Sequence, residues 1–75
     1  MPRLKCTFRE FIEVLLAAGF EEIRQEGSHR RYRGVVNSEV RLVTVAYHNI
    51  GDDILLRTLE SMIRQSGLPK KSFRK

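Results

Sequence analysis

The chain has 75 residues, 41% of them hydrophobic and 31% charged, with a formal net charge of +5 at neutral pH. That length suits one domain with a thin core, and the apolar share is ordinary for a folded chain rather than a disordered one. A single cysteine, Cys6, excludes an internal disulfide, two histidines at wide spacing argue against a structural zinc centre, and no apolar run approaches the roughly 20 residues that span a bilayer.

The N-terminal stretch Met1-Pro2-Arg3-Leu4-Lys5 lacks a leader pattern, so a cytoplasmic protein without a membrane role is expected. Thr7-Phe8-Arg9-Glu10 then fits a capping box, in which the Thr7 hydroxyl and the Glu10 carboxylate each take one free backbone N–H. Phe8, Phe11, Ile12, Leu15 and Leu16 follow at helical spacing and predict one buried stripe, with Arg9, Glu10 and Glu13 on the opposite side. Gly19 suits the left-handed position that ends such a helix. At about 1.5–3 kcal/mol for each large side chain buried, this is a core helix.

Phe20 to Gln25 predicts a short strand, although its alternation is poor. Glu26-Gly27-Ser28 turns the chain and His29 to Val36 runs back. Asn37-Ser38 suits a two-residue hairpin turn. Val40 to Tyr47 is the most β-branched segment and predicts a strand. Short turns between three strands favour an antiparallel meander. Tyr47 to Gly51 reads as a loop, with Asp52 or Asp53 capping a second helix whose stripe is Leu55, Leu59, Met62 and Ile63. Asp53 with Arg57, and Glu60 with Arg64, are spaced as i,i+4 pairs. Gly67, Leu68 and Pro69 read as a Schellman stop. Beyond them runs a basic tail from about residue 69, containing Lys70, Lys71, Arg74 and Lys75, in which Phe73 is the residue able to dock on the body.

The order α-β-β-β-α predicts an α+β fold, a three-stranded antiparallel sheet with both amphipathic helices on one face. The other face stays open, in the manner of double-stranded RNA-binding domains. Period-two alternation places His29, Arg31 and Arg33 on one face of their strand and Arg30 and Tyr32 on the other. Histidine as a class changes charge near neutral pH, and guanidinium grips phosphate, so the pairing suits phosphodiester chemistry. The plainer reading is a solvated basic strand after a turn.

Gly19-Phe20, Gln25 and Gly27-Ser28-His29, then Thr44-Val45-Ala46-Tyr47-His48, then Thr58-Leu59 through Ser61-Met62-Ile63-Arg64-Gln65-Ser66-Gly67-Leu68, resemble the HicA toxin family over roughly residues 8 to 73. The chain departs from that pattern at Ala46, where the family usually carries proline, and at Leu56-Arg57, where it commonly carries Pro-Gly. The second departure is expected to let helix two begin a turn earlier. The resemblance implies one dsRBD-like domain over residues 1–75, an mRNA-cleaving endoribonuclease without metal or other cofactor, a HicB-like antitoxin partner, and a catalytic role for His29.

A metal-free ribonuclease needs a base for the ribose 2′-OH, an acid for the leaving 5′-oxygen and cations for the phosphorane. Candidate RNA-binding residues are Arg30, Arg31, Arg33, Lys70 and Lys71, of which Arg31 and Arg33 share the face of His29. Ser28 either orients the imidazole or serves the turn. Tyr32 and Tyr47 either stack bases or pack. His48 is either structural or a second catalytic group. If Asn37-Ser38 form a two-residue loop, paired positions sum to 75, His29 faces Ala46, and His48 lies diagonal to it, with Cα atoms roughly 7–8 Å apart. An alternative from another class is a non-catalytic RNA-binding or protein-interaction module on the same fold.

Overall fold

The computed structural model describes residues 4–73. Its elements run α1 (Phe8–Ala17), β1 (Glu21–Glu26), β2 (His29–Val36), β3 (Glu39–Ala46), α2 (Leu56–Ser66) and a C-terminal 3-10 helix (Lys70–Phe73). The three strands form one antiparallel sheet in the order β1-β2-β3, which is the expected α+β meander.

The capping box opens α1 as the sequence predicts. Thr7 N–H donates to Glu10 Oε1 at 2.9 Å, and Glu10 N–H donates to Thr7 Oγ1 at 3.1 Å. Phe11, Ile12 and Leu15 are buried, and Gly19 follows the helix at φ 92°. Leu16 is a correction, because it is 52% exposed. It sits roughly 100° around the helix from Leu15, at the edge of the buried arc.

At Asn37 and Ser38 φ is 52° and 67°, as a type I′ turn requires, and the ladder from Val36↔Glu39 to His29↔Ala46 has the expected register throughout. The β1–β2 ladder is less regular. Gly27, at φ 58°, and Ser28 make a two-residue turn, so that Glu26 faces His29 and Arg24 faces Arg31. Between Arg24 and Glu22 the register slips by one residue, which makes Ile23 the extra residue of a β-bulge. The slip explains the poor alternation of this segment. It sets Glu22 opposite Tyr32, whose hydroxyl donates to Glu22 Oε1 at 3.4 Å.

Tyr32, Gly34, Val43 and Val45 turn towards the helices and join Phe11, Leu15, Phe20, Leu59, Met62 and Ile63 in one core. The Phe20 ring lies where a side chain at Gly34 would be, with ring carbons 2.5–2.7 Å from the position of a Cβ. Only glycine admits that contact.

Helix α2 corrects the second-helix expectations. It begins at Leu56, with Leu55 as its N-cap and no side-chain capping bond, so neither Asp52 nor Asp53 caps it and it does not start a turn early. The reason lies in α1. Phe8 N–H donates to the Asp52 carbonyl and Arg9 N–H to the Ile50 carbonyl, at 3.1 and 2.9 Å, while Ile54 N–H donates to the Cys6 carbonyl at 2.9 Å. The Ile50 and Asp52 carbonyls thus satisfy N–H groups that a helix start leaves without intrahelical partners, from a turn and a single bridge between Asp53 and Thr7 rather than from a helix. Asp53 sits 3.9 Å from Lys5 Nζ instead of sharing a helix with Arg57. Leu55, expected in the buried stripe, is 78% exposed, and the stripe is Leu59, Met62, Ile63 and Ser66.

The far end of α2 follows the Schellman pattern with one substitution. Gly67, at φ 72°, donates to the Arg64 carbonyl. The longer bond, from Leu68 N–H back to Ile63, runs through the buried Ser66 hydroxyl, which accepts from Leu68 at 3.1 Å and donates to the Ile63 carbonyl at 2.6 Å. The tail then docks as a 3-10 helix, with Phe73 buried and stacked on Phe11 at 4.9 Å between centroids. Arg74 and Lys75 lie outside the described residues.

Candidate catalytic centre and nucleic-acid interface

Burial along β2 alternates, with Tyr32 and Gly34 buried and His29, Arg31, Arg33 and Val35 exposed on the sheet face that no helix covers. His29 opens the strand directly after the Gly27-Ser28 turn, so the turn sets its position and the strand sets its face. Its cross-strand neighbours are Glu26 on β1 and Ala46 on β3. Arg31 stands between Arg24 and Thr44, and Arg33 between Glu21 and Leu42. Arg24, Glu26, His29, Arg30, Arg31 and Thr44 line a shallow depression at this end of the sheet. Arg24 and Glu26 form an ion pair along β1.

Arg24, Glu26 and Thr44 are absent from the residues that the sequence singles out. Treating Gly27-Ser28 as a two-residue loop, as for Asn37-Ser38, is the signal that brings Glu26 and Arg24 beside His29 and Arg31.

Arg30 points the other way. Its guanidinium lies 4.4 Å from the centroid of the Tyr47 ring, and its Nε is 3.5 Å from the Glu22 carboxylate. Tyr47 in turn rests on Phe8, with centroids 5.5 Å apart. Burial, then the Glu22 charge, raise the Tyr32 hydroxyl above the ordinary tyrosine range. Both tyrosines therefore serve packing. A polar chain of Tyr32, Glu22, Arg30 and Tyr47 closes the helix side of the sheet beneath the site.

The family model for the HicA toxin of bacterial toxin-antitoxin systems matches residues 8–68. The chain belongs to the HicA toxin family. Neither the curated proteins nor the solved structures compared with it gave a match.

The Gly27-Ser28 turn is what carries the His29 imidazole to the open face. Ser28 is half-buried, and its carbonyl accepts from Tyr47 N–H at 3.3 Å, extending the β2–β3 register one rung past His29↔Ala46. At Ala46, where the family usually has proline, β3 stays paired to its last residue. His48 follows in an exposed bend. Lys70 and Lys71 belong to the 3-10 helix that Phe73 anchors on α1, and Lys70 Nζ lies 3.5 Å from Glu60 Oε2. They stand on a 3-10 helix packed against α1, an element separate from the β2 strand that carries Arg31 and Arg33.

Among the described residues no three histidine, cysteine or acidic side chains are grouped to hold a metal, and no helix is long and apolar enough to cross a membrane.

Proposed function

We propose that this toxin-family chain is a metal-independent endoribonuclease that cleaves mRNA in the cytoplasm, with His29 as general acid/base and a HicB-type antitoxin as its inhibitor. The observation that carries the reading is the alternation of β2, which presents His29, Arg31 and Arg33 together on an uncovered face. In the proposed reaction the ribose 2′-oxygen attacks phosphorus as its proton passes to a base. The bond to the 5′-oxygen breaks as that oxygen takes a proton from an acid, leaving a 2′,3′-cyclic phosphate. Histidine serves either step, and Arg31 and Arg33 stabilise the charge that develops on the phosphoryl oxygens.

Arg30 has a different part, holding Tyr47 and so the end of β3, while Lys70 and Lys71 meet only RNA that reaches round to the helix layer. The antitoxin is proposed to act by occlusion, setting acidic or polar groups against Arg31 and Arg33. Val35, Val40 and Leu42 are half-exposed on the same face and offer it apolar contact.

The test is cleavage of RNA by purified chain, and growth arrest on expression, for wild type and His29→Ala. The wild type cleaves and arrests growth. The variant does neither and keeps its circular dichroism spectrum, because His29 is exposed and outside the core. A variant that cleaves at the wild-type rate removes His29 from the mechanism. A wild type that binds RNA without cleaving it returns the chain to the binding-module reading.

A further inference from the structure

Arg24 and Arg31 are directly paired across the β1–β2 ladder, two rungs from the paired Glu26 and His29 and so on the same face, and all four line the same depression. Directly opposed like charges on a sheet repel. Here the Glu26 carboxylate, ion-paired with Arg24, offsets the repulsion. Thr44 flanks Arg31 on its other side and brings a hydroxyl to the same depression. The bulge at Ile23 begins immediately beyond Arg24, and without the slip it introduces, Ile23 would oppose Tyr32 on the core side. Arg24 itself is well exposed, its side chain 68% accessible.

Two guanidinium forks from neighbouring strands, with a hydroxyl beside them, match the several oxygens of a phosphate group better than the two of a carboxylate. We propose that Arg24 and Arg31 form a phosphate subsite for the RNA backbone beside His29, and that Glu26 is the internal anion which holds Arg24 until phosphate replaces it. The choice of RNA as the source of the phosphate rests on the ribonuclease reading. The subsite itself does not need cleavage. Arg24 thereby joins Arg31 in binding, and Glu26 sets how readily the site accepts an anion.

The test uses a fluorescent single-stranded RNA, 2′-O-methylated at every position so that no 2′-hydroxyl is available for attack, with binding followed by anisotropy over a range of salt concentrations. Arg24→Ala is expected to weaken binding about tenfold and to lower the salt slope by about one. Arg24→Lys should recover the slope but only part of the affinity, since lysine lacks the fork. Glu26→Gln should tighten binding, because it removes the competing carboxylate. Arg57→Ala, on an exposed helix position, should leave affinity nearly unchanged.

Unaltered affinity and slope in Arg24→Ala, or weaker binding in Glu26→Gln, would overturn the subsite. Inorganic phosphate competing as well as the RNA, mole for mole, would overturn the backbone assignment in favour of free phosphate. Because the probe cannot be cleaved, these outcomes are separate from a failure of His29→Ala to abolish activity on ordinary RNA.

Discussion

Tyr47 donates its backbone N–H to the carbonyl of Ser28 at 3.3 Å, and this bond carries the β2–β3 register to the last residue before His48. His29 follows Ser28 into β2, while His48 follows Tyr47 into a bend beyond the end of β3. We propose from this register that the two act as a base-and-acid pair across the end of the sheet. His48→Ala should lower kcat/KM for RNA cleavage by about 10²–10⁴-fold. Cleavage by the variant at the wild-type rate would leave His29 to work with an arginine alone.

Cleavage should persist in excess EDTA, because the proposed scheme draws its proton transfers and charge stabilisation from histidine and arginine. The check is RNA cleavage before and after chelation. Activity lost on chelation and restored by one added metal would refute the scheme.

Gly34→Ala should destabilise the fold by about 1–3 kcal/mol, the range for overpacking a filled core. The added methyl would fall within 2.7 Å of three carbons of the buried Phe20 ring, which is held between the sheet and α1. Urea denaturation would show a lower midpoint with little change in slope. A midpoint equal to that of wild type would mean the ring moves aside freely.

Stability should fall at alkaline pH in a way that depends on Tyr32. Burial and the Glu22 charge raise its folded-state pKa, so the unfolded chain loses this proton first, near the ordinary tyrosine value of about 10. The stabilisation is fully present below that value and is lost as pH rises through the folded pKa. Tyr32→Phe should remove this contribution to the alkaline loss while costing about 0.5–1.5 kcal/mol near neutrality for the bond to Glu22. The measurement is unfolding free energy against pH for both proteins. Parallel curves above pH 10 would contradict it.

Features written into a few consecutive residues were determined by the sequence itself. The Thr7/Glu10 box, the Asn37-Ser38 turn with its register, the left-handed Gly67 and the shared face of His29, Arg31 and Arg33 all follow from local backbone geometry and the period of a strand. Two features were decided only by contacts between distant segments. Asp52 and Asp53 look like helix caps, yet the carbonyls of Ile50 and Asp52 are taken by the free N–H groups of α1, more than forty positions earlier. The bulge at Ile23 moves Glu22 under Tyr32 and Arg30, where its carboxylate has a hydroxyl and a guanidinium to meet. The neighbours of the site, Arg24 and Glu26, lie between that bulge and the Gly27-Ser28 turn, and the turn by itself sets them opposite Arg31 and His29. Local sequence encodes which backbone conformations are cheap; which distant groups need a partner is known only once the helices and the sheet are packed.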